Sequence, residues 1–256
     1  MLQRLLFALA IFCVLAPAQT EQVTREVALD RLREFARNYE ARLQDFRCNK
    51  YISRSSTRYG HEQNWKHVDE SEEEIFYLRH REHRKLLIID GHPANGRERP
   101  RHGYTLGGEF GLLGHVFSAK ANPEMTWDHQ EGPANTPICV FHYHVAAEDA
   151  PLVVRMGRER VELAHHGTVY SQCATGIVTR LETESDPQRN IELSTTILFA
   201  ATTIGDKEFQ LPQSATDAFR LDKQRTRAQV MFRNYRKYDS STQITFDTSQ
   251  DTPQPK

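Results

Sequence analysis

Ile138-Cys139-Val140-Phe141-His142-Tyr143-His144-Val145 is the stretch on which the fold turns. β-branched and aromatic residues dominate it, as in a strand, where successive side chains point to opposite faces. One face then carries Ile138, Val140, His142 and His144. The other carries Cys139, Phe141, Tyr143 and Val145. Bulky groups on both faces mean material on both sides, as in a curved sheet that wraps a core helix.

Working outward, further strand-like runs lie downstream at Leu152–Met156, Val161–Tyr170, Ile177–Thr183, Ile191–Ile204, Gln229–Tyr238 and Gln243–Phe246. Turn signals divide several of them: Gly157, Thr175-Gly176 and Gly205-Asp206. With no helical pattern between them, these runs predict antiparallel hairpins. Pro212 is expected to end the strand that holds Phe209 and Leu211, because proline donates no ladder hydrogen bond. Upstream, Phe46, Cys48 and Ile52 alternate with Arg47, Asn49 and Ser53, and Trp65–Arg79 reads as a second long strand. Leu86–Ile89 is a short strand closed by Asp90-Gly91, and residues 92–106, rich in Pro, Gly and Arg, read as a loop. The acidic run Asp69–Glu74 and the basic run Arg79–Lys85 read as a solvated edge that discourages edge-to-edge pairing.

Two segments change period. Val23 to Leu43 places Val27, Leu32, Phe35, Tyr39 and Leu43 near the 3–4 spacing of one buried helical stripe. Phe110, Leu113, Val116 and Phe117 return to that spacing after Gly107-Gly108-Glu109, a flexible entry with an acid near the positive end of the helix. The chain is therefore read as mainly β (α+β): a large curved antiparallel sheet or half-open β-barrel, with an N-terminal helix and a short helix on its concave face.

The first residues carry Arg4, the apolar run Leu5–Leu15 and then Ala16-Pro17-Ala18, the small-x-small pattern of a signal peptidase site. That run falls short of the ~20 residues a membrane helix needs. Residues 1–18 are read as a signal peptide, 19–247 as one β domain and 248–256 as a disordered tail. Cleavage would remove one Arg and leave 32 basic against 34 acidic residues, net −2, which gives no electrostatic case for nucleic acid. No other stretch is long and apolar enough to span a membrane, so the expected location is the periplasm or the extracellular space. Export would leave Cys48, Cys139 and Cys173, with no CxxC pair. Cys139 near a strand start and Cys173 at a hairpin end form the candidate disulfide, with Cys48 as the free thiol.

Catalytic motifs are thin. His142 and His144 project the same way from one strand, half of a zinc site. Adding His165 would give a metal-dependent hydrolase, the alternative reading, while surface histidines are the plain account in a chain with 12 of them. There is no GxSxG elbow, no protease signature around Cys48 or Cys173, and no phosphate loop among the glycines from Gly103 to Gly114.

The order of elements, with Gly108-Glu109-Phe110-Gly111 and His166-Gly167-Thr168-Val169-Tyr170, resembles exported proteins of the LolA, LolB and RseB type. Thr175-Gly176-Ile177-Val178-Thr179-Arg180-Leu181 and the stretch from Thr203 to Pro212 carry the same likeness over roughly residues 25–247. Asp45-Phe46-Arg47-Cys48 resembles a group of uncharacterised secreted bacterial proteins. The resemblance implies a half-open barrel with an apolar concave cavity for acyl chains or a partner's lipid, no cofactor and no catalytic residue. It points to a non-catalytic binding protein for a lipid, a lipidated protein or an envelope partner. Phe110, Leu113, Phe117 and Trp127 are the candidate cavity residues, with plain hydrophobic core as the competing account. The many charged residues on the strands depart from the family pattern, and no family residue can be placed by position.

N-terminal sequencing of protein from its native host should begin at Gln19. An uncleaved cytoplasmic form as the sole product would refute the export reading.

Overall fold

Thr24 caps the N-terminal helix, α1 (Arg25–Arg42). Its Oγ1 accepts from the Val27 amide at 3.4 Å, and Glu26 lies in the first turn where the helix dipole favours an acid. In this computed structural model, residues 23–61, 63–95, 108–156 and 159–238 are described. The signal peptide at 1–18, the strand at Gln243–Phe246, the tail at 248–256 and most of the 92–106 loop lie outside them.

After α1 come β1 (Phe46–Arg58), β2 (Lys66–Leu78), β3 (Arg81–Ile89) and β4 (His92–Pro93), then α2 (Leu112–Val116) and β5 (Glu124–Glu131). β6 (Ile138–Val145), β7 (Leu152–Met156), β8 (Glu159–Leu163), β9 (His165–Gln172) and β10 (Val178–Ser185) follow. The last three are β11 (Ile191–Ile204), β12 (Lys207–Leu221) and β13 (Gln224–Lys237). Eleven strands form one antiparallel sheet in the order β4-β3-β2-β1-β13-β12-β11-β10-β9-β6-β5. The sheet curves but does not close, and the helices pack on its inner face.

Three local expectations are corrected. Val161–Tyr170 is two strands: β8 pairs with β7 in a separate ribbon, and β9 enters the main sheet. Val161, Leu163 and His165 are all buried, so the alternation runs unbroken through Ala164 and period alone cannot show the change of sheet. Pro212 does not end its strand. Phe199 faces Pro212 while Leu198 faces Ser214, so Gln213 is bulged out and the missing proline N–H is absorbed there. In α1 the buried stripe is Ala28, Leu32, Ala36 and Tyr39, whereas Val27 is exposed. Two alanines let the helix lie close to the sheet. Gly176 (φ +73°) completes the approach, since a Cβ there would stand 2.3 Å from the Arg31 carbonyl.

The main core joins α1, α2 and the inner faces of the strands. Phe110 is fully buried, with the rings of Phe46 and Phe232 each at 5.2 Å and that of Tyr77 at 6.0 Å. A smaller cluster lies where the β7–β8 ribbon covers Ile191, Leu193 and Phe219. Cys139 and Cys173 are joined by a disulfide with Cα atoms 5.0 Å apart, and Cys48 is free and buried.

Phe110→Ala should cost roughly 3–5 kcal/mol in urea unfolding. A loss below about 1 kcal/mol would mean the aromatic cluster does not depend on it.

Candidate functional site

Two features of the interior have the makings of a site. The first is a groove of about 470 Å³ between α1 and the ends of the strands. On the helix side, Arg31, Phe35, Tyr39 and Leu43 recur at 3–4 spacing. The opposite wall is Thr175 and Ile177 of the β9–β10 turn and Glu208–Gln210 at the start of β12. Phe35, Tyr39, Leu43, Ile177 and Phe209 supply an apolar floor, and Arg31, Glu34, Arg42 and Glu208 a rim of mixed charge. Arg31 Nη1 donates to the Cys173 carbonyl at 3.4 Å, which ties the helix to the disulfide-bonded turn. Gln210 Nε2 donates to the Val178 carbonyl at 2.9 Å and fixes the other wall.

The second feature is a polar row across the inner face of the sheet. Tyr143, Gly167, Thr183 and Thr195 stand in register on β6, β9, β10 and β11. Asp217, Ala228, Arg54 and Asp69 continue the row on β12, β13, β1 and β2. Gly167 makes room for the Tyr143 ring, which a Cβ would meet at 2.8 Å, and the Tyr143 hydroxyl lies 2.6 Å from Thr183 Oγ1. Thr195 Oγ1 donates to Asp217 Oδ1 at 2.7 Å. Arg54 Nη1 donates to Asp69 Oδ1 at 2.6 Å and to Ser71 Oγ at 3.1 Å. Nearby, Lys50 and Glu109 form a buried ion pair at 2.5 Å.

Burial sets the electrostatics of this row. Desolvation, reinforced by the Glu109 carboxylate, pushes Asp217 up to about 7, against the opposing pull of its Thr195 hydrogen bond and of Lys50 and Arg84. Burial raises Glu82 too, although Arg84 beside it opposes the shift. His165, fully buried against the rings of Tyr143 and His115, is driven down to about 4, first by burial and then by His115, so it is neutral at pH 7. Among the described residues, Glu73 Oε2, Glu109 Oε2 and Asp217 Oδ2 have no hydrogen-bond partner.

Phe110, Leu113 and Phe117 sit in the packed interior at 0%, 0% and 4% exposure, and Phe117 lies 6.5 Å from the Tyr143 ring. Trp127 is half-buried, edge-on to Phe141 at 5.3 Å with the Arg25 guanidinium over it. None of the four lines the α1 groove.

The histidine set proposed for a metal does not converge. His142 and His144 lie on the outer face and His165 on the inner one; the residue beside His144 on the outer face is His166. His142 Nε2 lies 3.2 Å from Asp128, and His166 Nδ1 lies 2.9 Å from Asp186. Among the described residues, no three His, Cys, Asp or Glu side chains are grouped to hold a metal ion.

Sequence reading missed Lys50, Arg54, Asp69, Glu73 and Asp217. The signal was present in β1, where Lys50 and Arg54 share the alternation of Phe46, Cys48 and Ile52 and so share their inner face. Glu109, read as an acid at a helix end, instead reaches Lys50, and α2 begins only at Leu112.

No family model matches the chain, and no curated protein matches it. Solved structures similar to it include a LolA superfamily protein from Nitrosomonas europaea, at 10% identity and a TM-score of 0.42. That match covers 83% of this chain and 94% of the other. A putative outer membrane lipoprotein-sorting protein domain from Vibrio parahaemolyticus matches at 9% identity and a TM-score of 0.36, over 82% and 90%. A DUF1329 family protein from Desulfovibrio piger matches at 10% and 0.37, over 84% and 92%.

The Asp217 carboxyl has a folded pKa raised from 3.8 to about 7, so the native state keeps a proton that the unfolded chain releases. Its contribution is complete below pH 3.8 and is lost as the pH rises towards 7. Asp217→Asn should therefore gain stability relative to the parent over that range, by at most about 4 kcal/mol. A difference that is flat with pH would show that Asp217 is ionised in the fold.

Proposed function

We propose that this chain is an exported, non-catalytic binding protein of the periplasm or extracellular space, and that it takes an acyl chain of a lipid or a lipidated envelope protein. The observation that carries the reading is the α1 groove. Its volume of about 470 Å³ falls in the size range of small-molecule sites, and its floor is apolar while its rim is charged. An acyl chain would bury against Phe35, Leu43, Ile177 and Phe209, gaining about 25 cal/mol for each Å² removed from water. The Cys139–Cys173 disulfide holds one wall of the groove through Cys173 and Arg31, and disulfides persist in oxidising compartments. These features favour a ligand beside α1 over one around Phe110, Leu113 and Phe117, whose surroundings are already packed.

A fluorescent long-chain fatty acid should bind the purified protein saturably. Phe209→Arg should weaken that binding about tenfold or more, the equivalent of about 1.4 kcal/mol, with little change in melting temperature. Absence of saturable binding would overturn the carrier reading. Loss of binding in Phe117→Ala at unchanged stability, with Phe209→Arg unaffected, would move the site beneath α2.

A further inference from the structure

At the other end of the strands from the α1 groove, the β1–β2 and β12–β13 turns border a second, open cavity, of about 710 Å³. β12 starts at the groove and ends at this cavity, with roughly 35 Å of strand between Gln210 and Leu221. One backbone hydrogen bond joins the two turns and two more shape the β1–β2 connection. The Tyr59 amide donates to the Lys223 carbonyl at 2.8 Å, the His61 amide to the Arg58 carbonyl at 3.0 Å and the Asn64 amide to the His61 carbonyl at 2.9 Å.

Among the described residues the lining carries three cations and one acid. Arg58, Lys66 and Lys223 face the cavity from both turns, are exposed and, among the described residues, have no ion-pair partner. His61, Asn64 and Gln224 add further hydrogen-bonding groups. Asp222 is the one acid among the described lining residues, and it is engaged by Asn190 Nδ2 at 3.5 Å. Arginines also brace the rim. The Arg220 and Arg225 guanidiniums stand 4.8 and 5.9 Å from the Tyr59 ring, and that of Arg227 stands 4.6 Å from the Trp65 ring. Both aromatic residues belong to the connection between β1 and β2, so arginines of β12 and β13 hold that connection in place, Arg220 being also paired with Glu192.

Three unpaired cations around one concavity repel one another, and an anion entering it relieves that repulsion. We infer that the cavity lined by Arg58, Lys66 and Lys223 is a binding site for a phosphate group. A carboxylate is satisfied by a single bidentate arginine, whereas a phosphate offers more acceptor oxygens and up to two charges, which suits cations and amide donors arriving from both turns. The phosphate can be free or part of a lipid headgroup. The site uses none of the groove residues and stands independently of the acyl-chain reading.

The test uses the full mature protein. Inorganic phosphate is titrated in by calorimetry. Flotation is measured with vesicles of phosphatidylcholine alone and of phosphatidylcholine with phosphatidylglycerol in equal parts. The site variant carries Arg58→Gln, Lys66→Gln and Lys223→Gln. A control of equal charge change carries Arg37→Gln, Lys120→Gln and Lys207→Gln, all exposed and away from the cavity. The parent should bind with an affinity that falls as salt is added. The site variant should bind about tenfold more weakly or worse, and the control should match the parent. Saturable binding of inorganic phosphate assigns the site to the free ion. Binding confined to vesicles with phosphatidylglycerol assigns it to a headgroup. No binding in either arm overturns the inference, as does binding that the site variant retains or that the control loses equally.

Discussion

An antiparallel sheet that bends without closing must have its inner face covered, because those side chains would otherwise sit in water at about 25 cal/mol for each apolar Å². Here α1 and α2 do the covering. Ala28 and Ala36 bring the α1 backbone down onto the sheet, and Gly176 lets the β9–β10 turn meet the helix with no side chain between. Phe110, Leu113 and Val116 then fill the hollow under Phe46 and Tyr77. The α1 groove lies beside the place where the helix meets the β9–β10 turn, between the helix residues Phe35, Tyr39 and Leu43 and the wall formed by Thr175, Ile177 and Phe209.

The interior is layered rather than uniformly apolar. The row Phe141, Val169, Leu181, Ile197, Ala215, Val230 and Ile52 is followed by the polar row that contains Asp217 and Arg54, and then by the cluster under the β7–β8 ribbon. Buried ion pairs such as Lys50–Glu109 and Arg54–Asp69 do little for net stability, since desolvation offsets their attraction, but losing one partner leaves an uncompensated charge. Their effect is on geometry: Lys50 fixes the segment leading into α2 over one place on β1.

The two cavities differ in the way their ends of the molecule differ. Beside α1 the walls are apolar and the rim carries both signs of charge, which suits a ligand with a long apolar part. At the far turns the described lining is polar and carries three cations, Arg58, Lys66 and Lys223, against one acid, Asp222, which suits a compact anion. The polar row crosses the sheet between them.

Composition and period determined a good deal. The α1 helix was legible because its apolar residues recur at 3–4 spacing, and the long strands were legible because alternation is a property of the chain itself. β6 was readable to the residue, including the opposite directions of His142 and Tyr143. Contacts between strands far apart in sequence were not readable. Val27 and Ala28 compete for the inner face of α1, and only the placement of the sheet settles which is buried. Pro212 looks like a strand end until a bulge opposite Phe199 accommodates it. Arg54 and Asp217 lie 163 positions apart, and only the pairing of both strands with β13 brings them into one row. The groove and the far cavity combine residues about 30 to 180 positions apart, and register, which one sequence does not encode locally, decides which of them meet.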